Sequence, residues 1–388
     1  MSKRACIALT GLVALLAPAL LALALVPPPV AGTEPAAPPV VTVTGPPGAR
    51  TAAGPHLVGI SPVMAASDYA TPAAFRAKIA GYLETARAAG LLAPGSVVVL
   101  PEHLGTWLVA LDAPGLVFRA PGAGPALAAL ALGEPVALWR ALARSHEEDR
   151  LAAAIFRSRS QIMAAAYQDV FGDLAARFGV TIVAGSIVLE NPAVVDGRLR
   201  ARPGPLYNAS VVFHPDGRAD PKLVRKVYPI PSEQPFTTAA DVADLPTFDT
   251  PAGRLGVLIC ADSWYPETFA QLARQGVEIV AVPSFLQPRG VWDRPWGGYV
   301  TRWAADADRA DAGRLTEGEA WLRYGLAGRF PRTHAKAGTN VFLKGNLWGL
   351  GGDGRTTAVW RGGTFVSHVK RNDEIVALAL ASAEAPAR

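Results

Sequence analysis

From residue 56 onward, short apolar runs suited to buried strands alternate with longer stretches that carry their apolar residues on one helical face. Residues 57–60 read as a strand. Residues 72–89 read as an amphipathic helix opened by Thr71 and closed by Gly90, and residues 96–100 as a buried strand. The pattern continues with a helix from about 158 to 178 and strands at 180–189, 209–213 and 255–260. A helix at 266–275 and a strand at 277–282 complete it. Such alternation admits few architectures and predicts an α/β domain with helices packed against sheets. No internal repeat interrupts it.

The 388 residues suffice for one large or two average domains, and a composition 50% hydrophobic and 18% charged allows a substantial core. The net charge of +5 comes from scattered arginines. There is no block of like charges and no basic stripe interleaved with aromatics, so nucleic acid is not an expected partner. The chain has two cysteines, Cys6 and Cys260. Cys6 lies in the N-terminal apolar segment, which leaves no disulfide framework and predicts a free thiol at Cys260.

After Lys3 and Arg4, residues 5–26 run without a charge until Pro27-Pro28-Pro29. That is about the 20 residues a helix needs to cross a bilayer. The segment 1–26 reads as a signal peptide, with Val30-Ala31-Gly32 as a small-residue cleavage site, or as a single membrane anchor. The two N-terminal charges would keep the N-terminus inside and place the rest on the exported side, periplasmic or extracellular. Residues 27–54, rich in Pro, Ala, Gly and Thr, read as an extended linker. Residues 55–380 form the domain, and 381–388 a tail.

Three charged or nucleophilic residues follow apolar runs. Strand 97–100 leads to Pro101-Glu102-His103, which puts a carboxylate at a strand terminus. Lys226 follows Leu223-Val224-Arg225 and precedes a turn ending at Glu233. Cys260 ends Gly256-Val257-Leu258-Ile259 ahead of Ala261-Asp262 and the helix-opening Pro266-Glu267. A thiol there is held rigidly beside free backbone N–H groups.

In this order, with Tyr207-Asn208-Ala209-Ser210 and His214-Pro215-Asp216-Gly217 between, the motifs resemble the nitrilase, or carbon-nitrogen hydrolase, superfamily over about residues 57–370. Lys336-Ala337-Gly338-Thr339-Asn340 looks like that family's Arg-Ala-x-Glu-Asn helix end, and Asn346-Leu347-Trp348-Gly349 like its Asn-x-x-Gly. The resemblance implies a four-layer α-β-β-α sandwich, a homo-oligomer paired through helices, and a Glu-Lys-Cys triad. Cys260 would attack the substrate carbon to form a thioester. Glu102 would carry the proton from thiol to leaving amine and then activate water. Lys226 and the backbone N–H of Ala261 would stabilise the oxyanion, Lys226 also favouring the thiolate, and Glu233 would orient Lys226 or the substrate. No cofactor or metal is expected, since the six histidines show no ligand spacing. The glycine-rich stretch 349–354 reads as a tight loop.

Departures from the family pattern bear on specificity. Ala261 stands where an aromatic residue often follows the nucleophile, and Ala261-Asp262 replaces the Trp-Glu pair of true nitrilases, which favours amides over nitriles. Lys336 replaces arginine, Thr339 replaces glutamate, and Thr357-Ala358-Val359 stands where a serine-initiated strand is usual. Two insertions add to this. Residues 103–157 contain an apolar run, 125–142, that could be a lid, a membrane-surface element or an extra packed helix. Residues 286–331 carry Trp292, Trp296, Trp303 and Trp321, able to line an apolar acyl pocket. The expected function is an exported or membrane-anchored amidase that cleaves a non-peptide carbon-nitrogen bond in a small-molecule amide. An N-acyltransferase of the apolipoprotein N-acyltransferase type and a catalytically silent scaffold are the alternatives.

Overall fold

The computed structural model describes residues 37–46 and 54–380. The apolar segment 5–26, read above as a signal or anchor, lies outside the described residues, as does the tail. Among the described residues no helix is long and apolar enough to cross a membrane.

In chain order the building elements are β1 (Val40–Thr44), β2 (His56–Ser61), α1 (Pro72–Ala88), β3 (Val97–Val99), α2 (Ala123–Gly133), α3 (Pro135–Leu142), α4 (Arg150–Phe178), β4 (Thr181–Val183), β5 (Ile187–Glu190), β6 (Leu206–Ser210), β7 (Val212–Phe213) and β8 (Val224–Arg225). They continue with β9 (Thr247–Thr250), β10 (Gly253–Val257), α5 (Pro266–Arg274), β11 (Ile279–Ser284), α6 (Glu317–Tyr324), β12 (Ala337–Phe342), β13 (Thr357–Trp360), β14 (Gly363–Val366) and β15 (Glu374–Ala379). One six-stranded sheet has the order β1-β15-β2-β3-β4-β7 and a second β9-β10-β11-β12-β13-β14, while β8-β6-β5 form a small third sheet. Each large sheet has a parallel centre, β2-β3-β4 in one and β10-β11-β12 in the other, bordered by antiparallel pairs. The fold is therefore mixed α/β.

Strand alternation explains the packing. Val58, Ile60, Val98, Leu100 and Ile182 join the core shared with α1 and α4. Leu57, Val97, Val99 and Val183 join the core shared with Val257, Val280 and Val341 of the second sheet. A side chain turned by one position along a strand faces the opposite layer. At Gly59 the sheets come so close that a Cβ would lie 2.6 Å from Val341 Cγ1, so no larger residue fits.

Helix α1 is opened as its sequence predicts. Thr71 Oγ1 accepts from the Ala74 N–H at 3.1 Å, Pro72 takes the first turn, and Phe75, Ile79, Tyr82, Leu83 and Ala86 form the buried stripe. Helix α4 starts at Arg150, well before the expected 158, capped by Asp149 through the Ala152 N–H at 3.0 Å. Its first turns hide their pattern because Arg157 and Arg159 are buried. Arg157 donates to Glu147 and Glu190, and Arg159 to Glu134 and the carbonyl of Val109.

Other expectations need correction. Residues 40–44, assigned to the linker, form β1 and pair in parallel with β15. The run 180–189 is two strands in two sheets, β4 and β5, and 209–213 likewise divides between β6 and β7. The apolar insertion 125–142 becomes α2 and α3, broken at Glu134-Pro135, since proline cannot continue the hydrogen-bond ladder. Of residues 336–340, likened to a helix end, 337–340 lie in strand β12, and within 349–354 residues 350–352 pair as a strand with 345–347.

Candidate active site

Glu102, Lys226 and Cys260 come from three separate segments, each just past the end of a strand. Glu102 follows β3, where the chain turns sharply and His103 takes a left-handed φ of 59°. Room for that turn exists because Gly185, at φ 75°, sits opposite. A Cβ there would lie 2.1 Å from the carbonyl oxygen of Pro101. The break between β4 and β5 thus makes space for the backbone that carries Glu102. Ser186 beside it accepts the His103 N–H at 2.9 Å.

Lys226 is buried and donates to Glu102 Oε1 at 2.6 Å and to Glu233 Oε2 at 2.5 Å. Asn208 of β6 bridges the same two carboxyl groups through Nδ2, at 3.1 Å to Glu102 and 2.7 Å to Glu233. Glu233 also accepts the Ile230 N–H at 3.0 Å, and His103 Nε2 lies 3.2 Å from its Oε1. The structure thus brings together Glu102, Lys226, Glu233 and Cys260. It adds Asn208 and His103, both present in quoted motifs but given no role there.

Cys260 is not part of β10, which ends at Val257. It opens a 3-10 turn, Cys260–Trp264, in a left-handed conformation with φ 49°. A non-glycine residue there is strained and must be held by its surroundings. Asp262 supplies much of that hold. Its Oδ1 accepts the N–H groups of Val227 at 3.0 Å and Tyr228 at 2.8 Å, just past Lys226, and its Oδ2 that of Ile259 at 3.3 Å. One carboxylate therefore fixes the lysine loop against the thiol loop. The N–H of Ala261, early in the same short turn, lacks an intrahelical partner by helix geometry.

Residues 72–305 match the model of the carbon-nitrogen hydrolase family, more than half of the chain. The chain belongs to this family. A solved carbon-nitrogen hydrolase from Helicobacter pylori G27 shares its fold, with a TM-score of 0.52 at 16% identity over 84% of this chain and 89% of that one. Among curated relatives, a nitrilase of Pyrococcus abyssi is 33% identical over 29% of this chain and 38% of its own length. A deaminated glutathione amidase of Yersinia enterocolitica is 30% identical over 29% of this chain and 39% of its length. The matched region spans well under half the length of the curated relatives.

In this member of the family the electrostatics of the site divide unevenly. Burial works against the Lys226 charge, but Glu102 and Glu233 outweigh it and raise the ammonium well above the ordinary lysine value. For Glu233, burial raises the pKa, yet Lys226 and His103 hold it well below the usual carboxylate range. Burial pushes the Cys260 thiol up, Glu102 adds to that, and Lys226 only partly opposes it. Lys226 does favour the thiolate, but burial and Glu102 outweigh it, so the thiol is held protonated and attack requires a base. Burial also lifts Asp262 to about 7 against the pull of Lys226 and the three N–H groups.

Glu102, His103 and Glu233 present ligand-type atoms within 4.8 Å of one another. The Lys226 ammonium, bonded to both carboxyl groups, supplies the positive charge that such a cluster would otherwise seek from a metal.

Cys260 opens onto a cavity of about 490 Å³. Its walls include Trp264, Phe285, Trp296, Tyr299 and Trp321, and Glu317 is its charged member. Two of the four tryptophans expected in an acyl pocket, Trp296 and Trp321, line it. The other two support the wall: Trp292 packs edge-on against Phe342, and Trp303 packs at a tilt against Trp296. Trp264 and Tyr299 escaped the sequence reading, Trp264 because it lies so near the nucleophile that it was read as part of that turn.

Proposed function

We propose that this carbon-nitrogen hydrolase cleaves a small, non-peptide amide through a thioester on Cys260. The observation that carries the reading is a protonated thiol facing an aromatic cavity, with a carboxyl group and an ammonium bonded to each other behind it. Glu102, bonded to Lys226 and near enough to raise the thiol, takes the Cys260 proton as sulfur attacks the carbonyl carbon. The carbonyl electron pair moves to oxygen, where Lys226 and the Ala261 N–H receive the negative charge. Collapse of this tetrahedral species breaks the carbon-nitrogen bond, and Glu102 returns the proton to the departing amine. Water, deprotonated by Glu102, then attacks the thioester and releases the acid and the free thiol.

Ala261-Asp262, in place of the Trp-Glu pair of true nitrilases, favours amides over nitriles. The stacking of α1 and α4, the two sheets, and α5 suits the four-layer sandwich expected for the family. The apolar segment 5–26 suits export, with the domain on the periplasmic or extracellular side and cleavage or anchoring of the segment as its two fates.

Incubation with a panel of short amides, with ammonia release measured for wild type and Cys260→Ala, tests the reading. Release by wild type alone is expected; equal release by both would contradict it. Added amine acceptors distinguish hydrolysis from transfer, since dominant acyl transfer would favour the N-acyltransferase alternative.

A further inference from the structure

The cavity beside Cys260 is lined by aromatic rings and by a carboxyl group, that of Glu317, with no ion-pair partner among the described residues. Trp264 stacks on Trp296 with centroids 5.8 Å apart and meets Trp321 edge-on at 4.9 Å, and Tyr299 meets Trp296 edge-on at 5.5 Å. Glu317 lies in the first turn of α6, just after the Thr316 cap. Thr316 bonds to Glu319 instead, so Glu317 is not consumed by capping. Among the described residues its carboxyl group has no salt-bridge partner, and no lysine or arginine lines the cavity. The indole N–H of Trp321 leans toward that carboxyl but completes no hydrogen bond.

An unpaired carboxyl group in an apolar cavity is costly unless something satisfies it. Burial shows the cost, holding Glu317 up at about 7. The faces of tryptophan and tyrosine attract cations, and more strongly where water is excluded. A carboxylate among such faces matches an ammonium group and repels an acid. In the same cavity, Cys260 would hold the reacting carbonyl.

We propose that the acyl part of the substrate ends in a basic nitrogen, bound between Glu317 and the aromatic wall of Trp264, Trp296, Tyr299 and Trp321. The site thereby selects amides of amino acids with a distal amine, or similar cationic acyl chains, over neutral and acidic ones. This rests on the reading of Cys260 as the acylated residue, but it can be tested without turnover. The indoles of the wall report occupancy directly.

Tryptophan fluorescence of Cys260→Ala would be titrated with 6-aminohexanamide, heptanamide and the monoamide of adipic acid, three chains of similar length that end in amine, methyl and carboxylate. The amine is expected to bind about tenfold more tightly than heptanamide, the scale of one charge-assisted contact, and the acid most weakly. Adding Glu317→Gln should bring the amine-to-methyl ratio close to one, with folding verified by circular dichroism. Equal binding of amine and methyl chains, or a ratio unmoved by Glu317→Gln, would overturn the proposal. Turnover of the same three amides by wild type separates the two claims. Preference without turnover supports the cation site and contradicts hydrolysis; turnover without preference does the reverse.

Discussion

Lys226 and Lys344 are both about 1% exposed and both bonded to a buried glutamate, yet the fold treats their charges in opposite ways. Lys344 donates to Glu374 at 3.2 Å and to the carbonyl of Val369 at 2.9 Å, while Thr356 and Ser367 hydroxyls donate to Glu374. Lys344 is bonded to one carboxylate, and Asp373 and Asp353 act on it only through space. Burial then dominates and lowers Lys344 below the ordinary lysine value despite Glu374. Lys226 has two carboxyl groups, and they reverse the sign. The second carboxylate is what keeps the lysine charged, and it is also what leaves Glu102 free to serve the thiol while Glu233 retains the ammonium. A buried ion pair that only fastens strands needs no such excess.

The largest effect expected is at the base. Glu102→Gln should lower amide turnover about 1,000-fold, the scale of general acid–base catalysis. The same change should also slow alkylation of Cys260 by iodoacetamide at pH 7, because the buried, protonated thiol loses the base that takes its proton. Undiminished alkylation beside lost turnover, in a variant shown to fold by circular dichroism, would show that Glu102 does not serve the thiol.

Replacing each lysine by methionine breaks the comparison open. Lys344→Met should cost about 3–5 kcal/mol of stability by stranding a buried carboxylate, while the folded fraction turns over normally. Lys226→Met should also lose about 100-fold or more in kcat through the oxyanion. Urea unfolding and active-site titration check both. A Lys344 variant with kcat reduced as strongly as the Lys226 variant would erase the distinction.

Asp262→Ala should destabilise by about 3 kcal/mol, since three buried N–H groups lose their acceptor at about 1 kcal/mol or more each. It should also free Cys260 from its left-handed conformation and depress kcat more than it raises KM. Intact activity in a stably folded variant would mean that something other than Asp262 positions the thiol loop.

The smallest effect is in pH dependence. Lys344 is lowered in the folded state, so the unfolded chain binds more protons and stability rises with pH up to the unfolded lysine value of about 10.4. Lys226 is raised, so its contribution is complete below about 10.4 and is lost as pH climbs through its folded value. Lys344→Met should flatten the rise below about pH 10.4, measured by urea unfolding at pH 8 and 10. An unchanged slope would show that Lys344 is not lowered.

Much of this contrast was legible in the sequence, and its limits have physical causes. Glu102, Lys226 and Cys260 each follow a run of apolar residues, so a period-two pattern and the residue after it suffice to mark them. Asn208 and Asp262 were quoted within motifs but not given work, because a bridging amide and a carboxylate that gathers backbone N–H groups act only across segments distant in the chain. Strand β1 escaped although Val40-Val41-Thr42-Val43-Thr44 is wholly β-branched, because proline- and glycine-rich residues flank it and its partner, β15, lies more than 300 residues away. The start of α4 escaped because Arg157 and Arg159 look solvent-exposed until Glu147, Glu190 and Glu134 are folded beside them.

The central claim is that Cys260, protonated at rest and served by Glu102, takes up the acyl group. The direct measurement is acid quenching during turnover of an amide, followed by intact mass and peptide mapping. A mass increase equal to the acyl group on the peptide that holds Cys260, absent in Cys260→Ala, is the predicted result. Undiminished turnover by Cys260→Ala, with no adduct on the wild-type peptide, would contradict it.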